Sequence, residues 1–151
     1  MEEQELGNSI GSFIEALKVK GGFKEELMNH QDSYDELYSQ GYHFYENGHY
    51  DKAFLAFHKL VLSHPMEGKY WFGLASTLLQ QKNYEKALHA WSIAALIDFK
   101  NPLPHFHAAE CLFSLKLIDE GMLALKEAKK RSPKEDLSNK IEALVEVWSK
   151  A

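Results

Sequence analysis

The chain has 151 residues, 45% of them hydrophobic and 26% charged, which is enough for one soluble globular domain with a continuous core. A net charge of -5 argues against a nucleic-acid partner, which calls for a basic face. Cys111 is the sole cysteine, so no intrachain disulfide is possible; the acidic start (Glu2, Glu3, Glu5) reads as no secretory signal, and no stretch approaches the length of a membrane span.

In chain order, residues 1–8 read as a disordered tail and 9–31 as an N-terminal helical segment. Ser9 is its candidate N-cap, and Ile10, Phe13, Ile14 and Leu17 form an apolar stripe at helical spacing. Gly21-Gly22 ends that helix, and Phe23, Leu27 and Met28 predict a second short turn. Ser33-Tyr34-Asp35-Glu36 reads as a capping box that starts the next helix, which Asn47-Gly48 stops. Further helices are expected over about 51–62, 68–81, 85–97, 103–115 and 119–131, with Pro102 and Pro104 bracketing one start. Ser132-Pro133-Lys134-Glu135 is another capping box. It opens a last helix over 134–150, with Leu137, Ile141, Leu144, Val145 and Trp148 on one face. No segment reads as strand.

The middle of the chain repeats itself every 34 residues. Tyr50, Tyr84 and Ile118 share one register, Ala53, Ala87 and Gly121 a second, and Phe57, Trp91 and Leu125 a third. Pro65 and Pro133 lie two periods apart, with Phe99 between them. This pattern resembles the tetratricopeptide repeat, a helix-turn-helix unit. Small residues at Gly41, Ala75 and Ala109 let the first helix of each pair approach the second. Ala53, Ala87 and Gly121 do the same from the other side, and the large residues plug the gap. One unit cannot bury its own apolar face, so units stack and the end of the stack needs a cap. The expected fold is all-α: an α-solenoid of three repeats (34–67, 68–101, 102–135) with an N-terminal helix and a C-terminal capping helix.

Chemistry-bearing motifs are scarce. The sequence has no Gly-rich phosphate loop, paired-Cys metal pattern or nucleophile elbow. His107, Glu110 and Cys111 share one helix face, but a metal site needs three or four convergent ligands and no second cluster joins them. Nothing around Cys111 supplies an activated thiolate. No catalytic residue, metal or cofactor is expected. The basic run Lys126, Lys129, Lys130, Arg131 and Lys134 falls at a helix C-terminus, where cations complement the dipole.

In such repeats the first helices line an inner groove, an assignment taken from the likeness to the repeat family. The first copy then contributes Tyr38, Ser39, Tyr42, Tyr45 and Glu46, and the second Lys69, Phe72, Gly73, Ser76, Leu79 and Gln80. The third contributes Leu103, Phe106, His107, Glu110 and Phe113. A solvent-facing groove lined with Tyr, Phe and Leu reads as a binding site. The competing reading buries these aromatics under the N-terminal segment or in the core.

Several runs narrow the family: Leu37-Tyr38-Ser39, the segment from Tyr45 to Ala53, Tyr70-Trp71-Phe72-Gly73-Leu74 and above all Pro104-His105-Phe106-His107-Ala108-Ala109-Glu110-Cys111. They resemble class II type III secretion chaperones of the LcrH/SycD type. The resemblance implies a bacterial cytosolic chaperone for hydrophobic translocator proteins, with an extended Pro-x-Leu-x-x-Pro-like segment lying in the groove. The matching groove positions are Tyr38, Tyr42, Tyr45, Phe72, Leu79 and Phe106. It also implies a homodimer, with Ile10, Phe13, Ile14 and Leu17 as the matching stripe. The alternatives are a generic repeat adaptor that binds peptides, and an enzyme using His107, Glu110 and Cys111. A carboxylate clamp would need Lys, Asn and Arg where this chain has Tyr38, Tyr42, Gly73, Leu103 and His107.

Overall fold

A computed structural model describes residues 23–132 and 135–150. The stripe at Ile10, Phe13, Ile14 and Leu17, the tail 1–8, the Ser9 cap and the pair Pro133-Lys134 lie outside the described residues. The described residues form helices joined by short turns, with no strand among them. They are α1 (Phe23–Glu46), α2 (Tyr50–Ser63), α3 (Gly68–Gln80), α4 (Tyr84–Ile97), α5 (Leu103–Ser114), α6 (Ile118–Arg131) and α7 (Glu135–Ser149).

One expected boundary is wrong. The capping box at Ser33 does not start a helix, and the short turn expected at Phe23, Leu27 and Met28 is not separate. α1 runs through both as 24 continuous residues. The physical reason is that its sequence contains no proline, and its one glycine, Gly41, lies beyond the Ser33 motif. A capping motif stabilises a helix start only where something else interrupts the helix.

The three turns inside the helix pairs are one structure used three times. Gly48, Lys82 and Lys116 all have positive φ, at 76°, 59° and 66°. After each, a backbone N–H reaches back to the preceding helix: His49 to the Phe44 carbonyl (2.8 Å), Asn83 to Leu78 (3.0 Å) and Leu117 to Leu112 (2.8 Å). This left-handed helix stop satisfies carbonyls that the helix end leaves free. Glycine adopts that conformation without a Cβ penalty; the two lysines do not.

Helices pack mainly on their neighbours in sequence, and α1 also touches α3. The small and large registers meet as the period requires. Ala53, Ala75, Ala87 and Ala109 are fully buried, and so are Phe57, Trp91 and Leu125. The core has two parts. One runs through α1–α5 and is rich in aromatics, with Phe57, Tyr70 and Trp91 at its centre. The other joins α5, α6 and α7 through Ala109, Phe113, Leu125, Ala128 and Ile141. In the capping helix, Ile141 is buried and Leu137, Leu144 and Trp148 pack beside it. Val145 departs from the expected apolar face: it sits at the helix margin, 36% exposed.

Candidate peptide-binding groove

The repeat spacing brings side chains of α1, α3 and α5 to one side of the stack. On α1, Tyr38, Tyr42 and Tyr45 are four and three residues apart, so they share a helix face. All three are half-buried against the larger core. Tyr38 and Tyr42 meet edge to face at 5.0 Å, Tyr42 and Tyr45 at 6.2 Å, and Tyr42 rests on the buried Phe57 ring at 5.0 Å. Burial, reinforced by the neighbouring Tyr38 and Tyr45 phenols, pushes the Tyr42 hydroxyl well above its ordinary pKa. Each of the three offers an apolar ring face and a hydroxyl able to hydrogen-bond.

Two contacts extend the row in ways the periodicity did not reveal. Tyr70, at the start of α3, is buried and lies 5.6 Å from Tyr38. The Lys69 ammonium sits 5.1 Å from the Tyr38 ring and 5.5 Å from that of Tyr70. Tyr70 falls outside the groove register, so only packing could place it here.

Further along, Phe72 is half-buried and stands edge-on to Trp91, 4.8 Å away at 89°. The His107 imidazole stacks on the same Trp91 ring at 4.6 Å and 26°, and Phe106 lies 5.4 Å from it. Leu79 is half-buried against the larger core and Phe106 against the smaller one. All six candidate anchors thus keep part of each side chain in solvent and pack the rest on core. None is fully buried.

Two other expected groove positions are core. Gly73 is buried, and a methyl group placed on it would run into the Phe57 ring. Phe113 is buried, packs against Gly121 and stacks on Trp148 at 5.1 Å and 11°. The groove register counts residues along the helix, but helix rotation and a facing glycine turn Phe113 inward.

The third repeat carries Cys111 and the His107–Glu110 pair. Cys111 is fully buried, and that burial, with the nearby Glu110 charge, pushes its thiol up to about 12. His107 pairs with Glu110, Nδ1 to Oε1, at 2.5 Å. Among the described residues no group of three His, Cys, Asp or Glu side chains is arranged to hold a metal. The basic end of α6 is internally engaged: Arg131 binds the Glu127 carboxylate at 2.6 Å and the Phe99 carbonyl at 2.7 Å, and Lys130 lies 3.3 Å from Glu127. Among the described residues no helix is long and apolar enough to cross a membrane.

Residues 38–101 match the tetratricopeptide repeat family. The chain is 30% identical to the low calcium response locus protein H of Yersinia pestis, across 96% of this chain and 87% of that protein. Among solved structures it resembles the type III secretion chaperone SycD of Yersinia enterocolitica in complex with a peptide of the translocator YopD. That likeness has a TM-score of 0.75 at 27% identity and covers 78% of this chain and 93% of that one. It also resembles PcrH of Pseudomonas aeruginosa in complex with the chaperone-binding region of PopD, with a TM-score of 0.75 at 29% identity over 79% and 92% of the two chains.

Proposed function

The chain belongs to the class II type III secretion chaperones, the family of low calcium response protein H and SycD, and on that premise we propose that it holds hydrophobic translocator proteins soluble and ready for export. It does so by binding an extended Pro-x-Leu-x-x-Pro-like segment along Tyr38, Tyr42, Tyr45, Phe72, Leu79 and Phe106. The observation that carries this reading is that all six pack on core and still present a face to solvent. The relatives solved with translocator segments, SycD with a YopD peptide and PcrH with regions of PopD and PopB, support it.

The physical logic is direct. A translocator must later enter a membrane, so its apolar segments aggregate in water unless covered. A proline-containing extended segment is already close to its bound shape and loses little entropy on docking. Each buried anchor contributes about 1.5–3 kcal/mol before those costs, which gives moderate and releasable binding. The work is binding, not catalysis, in a cytosolic protein, and the buried, protonated Cys111 supports that reading. The proposed units remain 34–67, 68–101 and 102–135. Homodimerisation through Ile10, Phe13, Ile14 and Leu17 is part of the proposal, supported by the dimer described for SycD.

Titration with a translocator fragment tests the groove. Tyr45→Ala and Phe72→Ala are expected to weaken binding by about tenfold to a hundredfold, equivalent to roughly 1–3 kcal/mol, while both proteins stay helical at ambient temperature. Leu125→Ala is expected to lower the melting temperature instead. Full cargo binding by well-folded Tyr45→Ala and Phe72→Ala proteins would falsify the groove as the site.

A further inference from the structure

The groove is mostly rings, but among its polar side chains His107 is oriented and only partly used. His107 is clamped on several sides. Its ring stacks on Trp91 at 4.6 Å, with the Phe106 and Phe72 rings standing near-perpendicular at 5.4 Å and 6.3 Å. Its Nδ1 is held by Glu110 at 2.5 Å. A carboxylate only accepts, so the hydrogen lies on Nδ1. In the neutral imidazole this leaves Nε2 as a bare acceptor. That atom has no hydrogen-bond partner among the described residues. Nor is it one of the fully buried side-chain atoms left without a partner, which are His64 Nδ1 and Trp91 Nε1. The His107 side chain is 28% exposed, and its ring lies between Phe72 and Phe106, two of the proposed anchors.

An extended segment laid on aromatic rings has a particular need. Its main-chain N–H groups lose water and find few acceptors on apolar faces, and a buried donor without a partner is costly. Resting on the reading of this groove as the cargo site, we propose that His107 Nε2 accepts one main-chain N–H of the bound segment and so sets its register between Phe72 and Phe106. Glu110 and Trp91 act as positioning residues, one fixing the tautomer and the other the ring plane. The segment residue opposite His107 must therefore carry an N–H, which excludes proline there. The prolines of a Pro-x-Leu-x-x-Pro pattern must fall at other positions, so one histidine limits the registers in which such a segment can dock.

The test uses a synthetic peptide with a Pro-x-Leu-x-x-Pro pattern and a series in which each backbone amide in turn becomes an ester. The ester removes one N–H and leaves every side chain in place. With the unsubstituted protein, one ester position is expected to weaken binding by roughly threefold to tenfold, the scale of a single hydrogen bond. With His107→Phe, which keeps a ring over Trp91 but no nitrogen, that position is expected to become indifferent. His107→Gln, which restores an acceptor, is expected to restore the sensitivity in part. Glu110→Ala leaves the imidazole in place but frees its tautomer, and it is expected to give an intermediate loss. If His107→Phe does not fold, the Gln and Ala variants carry the same comparison. Ester losses that are identical in all four proteins overturn the inference and leave the groove standing. A parent peptide that does not bind the unsubstituted protein overturns the groove reading, and the inference with it.

Discussion

The first and third repeats reach the same backbone by different packing. In the first, the plug comes from the second helix: Phe57 on α2 fills the space left by Gly41 on α1 and Gly73 on α3. In the third, Leu125 on α6 is still buried, but the first helix adds a ring of its own: Phe113 on α5 packs against Gly121 on α6, and Trp148 of the capping helix covers it. The consequence reaches the groove. Where the plug belongs to the second helix, the first helix is free to present Tyr38, Tyr42 and Tyr45 to solvent. Where the first helix supplies a plug, Phe113 is withdrawn, and Leu103, Phe106, His107 and Glu110 remain partly exposed. The candidate groove therefore offers three tyrosine rings at the first repeat and one phenylalanine with a His–Glu pair at the third.

Truncating the two plugs is the strongest way to break the comparison. Phe57→Ala and Phe113→Ala should each cost about 3–5 kcal/mol, because each leaves a ring-sized cavity. The reach should differ. Phe57 belongs to the core shared by α1–α5, so its loss should remove hydrogen-exchange protection across most of the chain. Phe113 belongs to the smaller core, so protection should fall first in α6 and α7 while α1–α4 stay protected. Uniform loss of protection in both variants would show that the two cores open as one.

Adding a methyl group to the facing glycines sharpens the same point at lower cost. Gly73→Ala should push on the Phe57 ring and Gly121→Ala on the Phe113 ring, each destabilising by roughly 1–3 kcal/mol. Thermal melts of both variants, alone and combined with the cognate Phe→Leu change, measure the coupling. A smaller partner should relieve each clash, and a double variant no better than the sum of the singles would place the glycine elsewhere.

The smallest expected effect lies in the turns. Gly48 takes the left-handed conformation that Lys82 and Lys116 take at the equivalent positions. Lys82→Gly should stabilise by about 1 kcal/mol, since it removes a Cβ penalty at an exposed turn, while Gly48→Lys should cost a similar amount. Unchanged melting temperatures in both would mean that the turns carry no such strain.

The helix pairs and the registers of small and large residues were legible in the chain, because they depend on spacing along it; the family was legible through the resemblance of particular runs, above all Pro104 to Cys111. Ala87 and Trp91 belong to a period that three copies state independently, and helix stops at Asn47-Gly48 are local chemistry. The six candidate anchors came from the likeness to the family and remain a proposal; the fold shows that each is half-buried on core. What spacing could not supply was orientation between helices. The register that put Gly73 and Phe113 in the groove treats every unit as equivalent, yet whether a side chain turns inward depends on the residue facing it from another helix. Phe57 occupies Gly73's space, and Gly121 with Trp148 makes Phe113 core.

Continuity of α1 past the Ser33 capping box belongs in the same class. The motif is a local preference, and nothing nearby forced the helix to begin there. The seat of His107 is the clearest case. Its pairing with Glu110 follows from a three-residue spacing that any reader of the sequence can see. The Trp91 ring beneath it comes from a helix of the preceding repeat. Periodicity by itself determined which helices exist and which residues they offer, because hydrogen bonding and propensity act over a few residues. Only the stacked tertiary structure decided which of those residues are plugs and which are exposed, because burial is set by atoms on other helices.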